Sequence, residues 1–414
     1  MTLFGKNSDR KSDECQPLLQ FSEAAHPPGA VVRCTHLEIP QVAETYRVLG
    51  HSPWWVWGFA QGVNEHAVAI GNHPVFSNEV IEEGPGLIGM DLVRLGLERG
   101  SSAREALEVM VGLIERHGQG GAAQAPNGTG YHNSFLIADP LGAWALETSN
   151  RRWAARQLGL DGMSNHYGLA ADWEIGSRDL ETFARGEGWW QEEGRLDVAA
   201  AYRNPHVPPH ISQGRWRRSR ELLRAGRGRH DVASFSRLLR DHGNGSASWD
   251  PCGATPDDER YFTVCAHSEP VGVTTASMIA PLPGDRAAPW GVWVGFGTPC
   301  TGVFLPVYVD GVIPPSLARA GDEPGEDSAW WVFQRLQCAA RTVDGSSREA
   351  LLLRERWGDL EEAIDRERVE VEARAAKKVH AGDRDSARQL VSTFMSRCVE
   401  RVLERARLFC AELS

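Results

Sequence analysis

The stretch "LFGKNSDR", residues 3–10, sets a Gly, a Lys, an Asn, an Asp and an Arg directly behind the apolar pair Leu3 and Phe4. Chain ends are ordinarily frayed and chemically undemanding, so a polar cluster this dense needs an explanation. Outward from it, residues 28–80 read as β-rich. Val31, Val32, Cys34, His36 and Ile39 form one strand-like run and residues 68–71 another, each bounded by Gly, Pro or Asn. Residues 89–118 read as two helices. The second opens on a capping-box pattern, Ser102 with Glu105 three residues on, and Leu107, Met110, Val111 and Ile114 follow at helical spacing.

The glycine-rich run at 118–130 lacks the flanking strand and helix of a phosphate-binding loop and reads as a flexible connection. Residues 134–138 and 143–147 read as short apolar strands joined by a turn at Asp139-Pro140-Leu141-Gly142, as expected of a sheet covered on its faces. Residues 180–245 read as mainly helical, and 273–279 and 291–296 as strands. A Pro/Gly/Asp-rich stretch at 313–327 reads as a linker into a helical C-terminal region, 328–414. There Leu390, Phe394, Cys398, Val402 and Phe409 make an apolar stripe, suited to ordinary packing or to a homodimer seam. This mixed alternation suits an α+β or layered α/β body with a helical C-terminal extension.

The chain has 414 residues and a net charge of −11, which argues against a non-specific nucleic-acid or anionic-membrane partner. The local basic run at 215–229 is expected to be the solvated face of a helix. Eight cysteines, at 15, 34, 252, 265, 300, 338, 398 and 410, show no CxxC pair. They read as reduced thiols, and with no signal-peptide pattern or long apolar run the expected location is cytoplasmic.

No HExxH, P-loop or GxSxG is present. Cys265 and His267 lie two apart on an expected strand and project to one side. A metal there needs further ligands that the local sequence does not name, so the pair reads as a buried thiol beside a satisfied histidine, with no metal and no cofactor expected. The block at 54–76 carries two asparagines. Asn64 reads as a turn residue, whereas Asn72 follows an apolar strand and could aim an amide donor at a developing oxyanion; Asn165 in "MSNHYG" is a second such candidate.

Seven ordered blocks, "LFGKNSDR", "CTHLEIPQV", "TYRVLGHSPWWVWGFAQGVNEHAVAIGN", "GLIGMDLVRLGLERG", "AREALEVMVGLIERHGQGG", "HNSFLIADPLGAWALET" and "TTASMIA", resemble the secernin-type proteins of the C69 dipeptidase family over residues 3–306. The resemblance implies an N-terminal nucleophile hydrolase: an αββα sandwich of two stacked antiparallel sheets between helical layers, occupying 1–312 ahead of the 313–327 linker. It implies a cysteine-type dipeptidase. An N-terminal Cys thiolate attacks a small peptide amide, and the α-amino group, with a pKa near 8, takes the thiol proton. By the same resemblance Asp9 holds that amino group, Lys6 helps keep the thiol ionised, and Asn72 and Asn165 supply oxyanion or amino-group contacts. Arg218, in "GRWRRSR", stands for a supporting arginine. Ala67 departs from the usual NEHG pattern.

Family members carry the Cys roughly fifteen residues before the GKNSD cluster, on a strand and turn. Here Met1, Thr2, Leu3 and Phe4 precede it. Cys15 and Cys34 are poor substitutes by position, and Thr2 would sit at the wrong end of its strand. Two readings stay open: a dipeptidase whose Cys is encoded upstream of Met1, and a non-catalytic binding or regulatory relative with an exocytosis-type role on the same fold.

Overall fold

A computed structural model of the chain describes residues 1–82, 84–124, 128–208, 210–243, 262–342 and 347–413. Cys252 lies outside the described residues. The chain is α+β, and its described strand pairings are antiparallel. It divides into two compact units, one built from Leu3–Gln20 with Gly226–Ser414 and the other from Phe21–Ala225. No described helix is long and apolar enough to cross a membrane.

In the Phe21–Ala225 unit the strands run in the order Ile175–Gly176, Arg152–Leu158, Gly142–Ser149, His132–Asp139, Ala69–Val75, Gln61–Asn64 and Val48–His51. The expected hairpin is present, with Ser134 opposite Glu147 and Asp139 opposite Gly142. The Asp139 carboxylate closes its turn by accepting from Leu141 N at 2.7 Å and Gly142 N at 3.1 Å. Helices Gly89–Arg99 and Ala103–His117 pack on this sheet. Leu180, Ala184, Tyr202 and Trp190 cluster with Ala145, Ala154 and Val75. Covered in this way, Ile70, Phe135, Ile137 and Leu146 are all buried, which explains why these strands are apolar runs rather than alternating ones.

Ser102 caps the second helix, accepting from Glu105 N at 3.2 Å, but the reciprocal half of the expected box moves by one residue. The Glu105 carboxylate takes Ser101 N instead, at 2.8 Å. Asn64 is the turn residue the sequence suggests. Its side-chain oxygen accepts from His66 N and Val68 N, and its amide ties the turn to Leu97 O and Gly100 O. This turn holds Ala67 at φ 59°, the left-handed region that glycine tolerates at no steric cost.

In the other unit the strands Thr2–Arg10, Gly272–Leu282, Gly291–Phe296 and Leu305–Tyr308 lie side by side in that order, and His267–Ser268 pairs with Gly272–Leu282. Gly5 lets the helix Val232–Leu239 lie on the first strand; a Cβ there would stand 2.6 Å from a Phe235 ring carbon. Helix Ala329–Thr342 packs on Gly291–Phe296, and helix Arg384–Leu413 on Leu305–Tyr308. The stretch expected as a linker carries a short helix, Pro315–Ala318, with Leu317 fully buried, and compactness groups residues on both sides of it into one unit. In the C-terminal stripe Phe394 meets Tyr308 edge-on and Phe409 meets Trp357 edge-on, and both phenylalanines are buried.

Candidate functional site

Along Thr2–Arg10 burial alternates with the period of a strand, with Phe4, Lys6 and Ser8 buried and the residues between them half-buried. Lys6 and Asp9, three apart, therefore point to opposite faces. Lys6 Nζ donates to Asn7 O at 3.2 Å. Asp9 shares its face with Asn7, and both are tied to neighbouring backbone and side chains. Asn7 Nδ2 donates to Leu239 O (2.8 Å) and Val264 O (2.7 Å), and its oxygen accepts from Ser277 Oγ at 2.7 Å. Asp9 Oδ1 accepts from Thr274 Oγ1 at 2.7 Å, and the same hydroxyl accepts from Ala266 N at 2.9 Å. The polar cluster that opens the sequence is thus built into its sheet on both faces.

Asn72 and Asn165 belong to the other unit, and the structure brings both to the strand Ala69–Val75. Asn72 Nδ2 donates to Asn133 Oδ1 at 2.9 Å, a diagonal pair across neighbouring strands. Asn133 Nδ2 passes on to Gln119 Oε1 at 3.0 Å, and Gln119 Nε2 reaches Thr148 Oγ1 and Asn150 O. Gly89 opens its helix against this pair; a Cβ there would stand 1.9 Å from Asn133 Oδ1 and 2.7 Å from Asn72 Nδ2.

Asn165 Nδ2 donates to Pro74 O at 3.1 Å, two residues beyond Asn72, and its oxygen accepts from a terminal nitrogen of Arg215 at 2.7 Å. The arginine that reaches Asn165 is therefore Arg215. Arg218 pairs with Glu221 instead. The basic run is also more than a solvated face: Arg220 bonds Asp161 at 2.6 Å and lies 4.3 Å over the Trp216 ring. Two guanidiniums of helix His210–Ala225 are thus held by half-buried acceptors, Asn165 for Arg215 and Asp161 for Arg220.

Beside Asn165 a cleft is lined by Phe76, His166, Arg203, Val207 and Ser212. His166 stacks edge-on to Trp216, and both its ring nitrogens are shielded from solvent without a hydrogen-bond partner among the described residues. Burial first, and then the charges of Arg203 and Arg215, push its pKa down to about 4, so the imidazole is neutral at physiological pH. Glu147, fully buried nearby in the sheet, is pushed up to about 7 by burial, against the bonds it accepts from Gly168 N and Leu169 N.

The sequence paired Cys265 with His267 and stopped there. The structure adds His242, from just beyond the Val232–Leu239 helix, and Cys300, from the turn after the Gly291–Phe296 strand. The four ligand atoms all lie within 4.8 Å of one another. His267 Nε2 is 3.5 Å from Cys265 Sγ, 3.4 Å from Cys300 Sγ and 3.2 Å from His242 Nε2. The two thiols differ in acidity. The hydrogen bond from Cys265 and the neighbouring His267 hold Cys300 well below the usual range, while burial drives Cys265 well above it. No local spacing signals the whole group, because its members come from three separate segments of the chain; only the Cys-x-His half is visible in sequence.

No protein-family model matches the chain. Solved structures similar to it include a mutant conjugated bile acid hydrolase from Clostridium perfringens, at 14% identity over 71% of this chain and 85% of that one, with a TM-score of 0.40. Penicillin V acylase from Agrobacterium tumefaciens is similar at 13% identity over 74% of this chain and 82% of that one, with a TM-score of 0.42. These identities and scores are too low to transfer an activity, a substrate or a site residue.

Proposed function

We propose that this chain is the body of a cysteine-type amide hydrolase that releases an amino acid from a dipeptide or similar small amide. The observation that carries this reading is the position of Asn165. Its oxygen is clamped by Arg215, one N–H is spent on Pro74 O, and it lines the cleft together with Arg203. An amide polarised in this way keeps a second N–H for an acceptor, which is what a tetrahedral oxyanion requires. Arg203 would meet the free carboxylate of a short peptide through a charge-assisted bond. The resemblance of the ordered blocks supplies the rest: a Cys at the head of a strand preceding Thr2–Arg10 attacks the carbonyl, and its α-amino group accepts the thiol proton. The amine product then leaves, and water hydrolyses the acyl-enzyme.

The test is to read the nucleotides upstream of the Met1 codon and to assay the correspondingly extended protein on a dipeptide panel. An in-frame Cys and turnover abolished by replacing it with Ala are expected. Asn165→Ala in the same protein is expected to lower kcat about 10²-fold with little change in folding. A stop codon before any Cys, or an extended protein with neither turnover nor acyl-enzyme, overturns the hydrolase reading in favour of a non-catalytic relative.

A further inference from the structure

We infer that His242, Cys265, His267 and Cys300 bind one zinc ion in a closed tetrahedral site. Zinc bonds of about 2.3 Å to sulfur and about 2.0–2.1 Å to imidazole nitrogen give tetrahedral edges of about 3.3 Å between nitrogens and about 3.6 Å between nitrogen and sulfur. The three edges that meet at His267 Nε2 are 3.2 Å to His242 Nε2 and 3.5 and 3.4 Å to the sulfurs of Cys265 and Cys300, and all four atoms lie within 4.8 Å of one another. One imidazole nitrogen carries at most one proton, so hydrogen bonding alone does not account for three such neighbours around it. A shared cation, facing a lone pair from each atom, does.

Two thiolates with two imidazoles in this geometry select zinc over the hard cations, which prefer oxygen. Binding is not a redox step. Each thiol loses its proton to solvent and gains a bond to the metal.

Four protein ligands leave no open coordination position, which makes the site a clip rather than a catalytic centre. What it would clip is visible in the fold. His242 follows the helix that lies on Gly5, Cys265 and His267 lead into the sheet, and Cys300 closes a turn from it. Asn7 and Asp9 frame the site from the first strand through Leu239, Val264 and Thr274. A Cys300–His267 nucleophilic dyad fits less well, because Cys265 approaches the same nitrogen and all three residues are buried. The inference stands whether or not the chain is a hydrolase.

The test is elemental analysis of the purified 414-residue protein, followed by cobalt replacement. One zinc per chain is expected, with the visible ligand-field and sulfur-to-cobalt bands of a tetrahedral thiolate site. Cys300→Ser and His242→Ala should each lower the zinc content at least several-fold. If either variant fails to fold, the stoichiometry and cobalt spectrum of the unaltered protein decide alone. Protein without bound metal that gives no tetrahedral cobalt spectrum overturns the inference. So does a Cys265–Cys300 disulfide found by mass spectrometry without reduction.

Discussion

Two buried polar groups, one in each unit, solve the same problem in opposite ways. The amide group of the Phe21–Ala225 unit closes on itself: Asn72 gives to Asn133, Asn133 to Gln119, and Gln119 to Thr148 and Asn150. Donors and acceptors alternate, so the chain of bonds needs nothing from outside. The thiol–imidazole group gathers four lone-pair donors around one point instead. A set of that kind is completed by a cation. The contrast separates a network that stabilises by internal matching from one whose contribution depends on what it binds.

The largest effect should come from breaking the second kind. Removing zinc with a strong chelator, or replacing Cys300 with Ser, is expected to lower Tm by roughly 5–10 °C in a calorimetric scan. Added zinc should reverse the chelator effect alone. A Tm indifferent to chelation would mean that the cluster stabilises by packing only.

The amide network should respond to any change that leaves a partner stranded, whatever the metal content. Asn133→Leu strands Asn72 Nδ2 and leaves Gln119 Oε1 with Thr148 Oγ1 alone, and should cost about 2–3 kcal/mol in urea unfolding. Gly89→Ala drives a methyl group into the same pair from the helix side and should cost about 1–3 kcal/mol. If the two changes are made together, their costs should fall short of adding, since both disrupt one contact.

A smaller effect is expected at Ala67. Replacing it with Gly relieves the left-handed strain at φ 59° and should stabilise by up to about 1 kcal/mol, or leave stability unchanged where the added chain entropy offsets it. Destabilisation would show that the Ala67 methyl, which is buried, is needed for packing.

The pH responses are the subtlest. Glu147 keeps in the folded state a proton that the unfolded chain loses above the ordinary 4.5, so its contribution fades as pH rises through about 7. His166 refuses a proton that the unfolded chain takes up below the ordinary 6.5, so its contribution fades as pH falls from there toward about 4. The two slopes oppose each other between about pH 4.5 and 6.5. Glu147→Gln should therefore make Tm rise more steeply with pH across that window, and His166→Asn should make it fall. Parallel profiles for the two variants would remove one of these assignments.

What the sequence revealed follows from distance along the chain. The Asp139–Gly142 turn, the Ser102 cap and the Asn64 turn are each set within four residues, and each appears where the pattern puts it. Choosing between Arg215 and Arg218 was beyond sequence, because both lie on one face of the same helix and only the position of Asn165 selects between them. The opposite facing of Lys6 and Asp9 was legible in principle, since a strand alternates at every residue. The zinc group was not legible, because its ligands are spread from position 242 to 300 and only folding assembles them.

The most direct measurement is zinc X-ray absorption on the purified protein. The expected first shell holds two sulfurs at about 2.3 Å and two nitrogens at about 2.0–2.1 Å. A shell of oxygen and nitrogen without sulfur, or no bound zinc at all, would contradict the account.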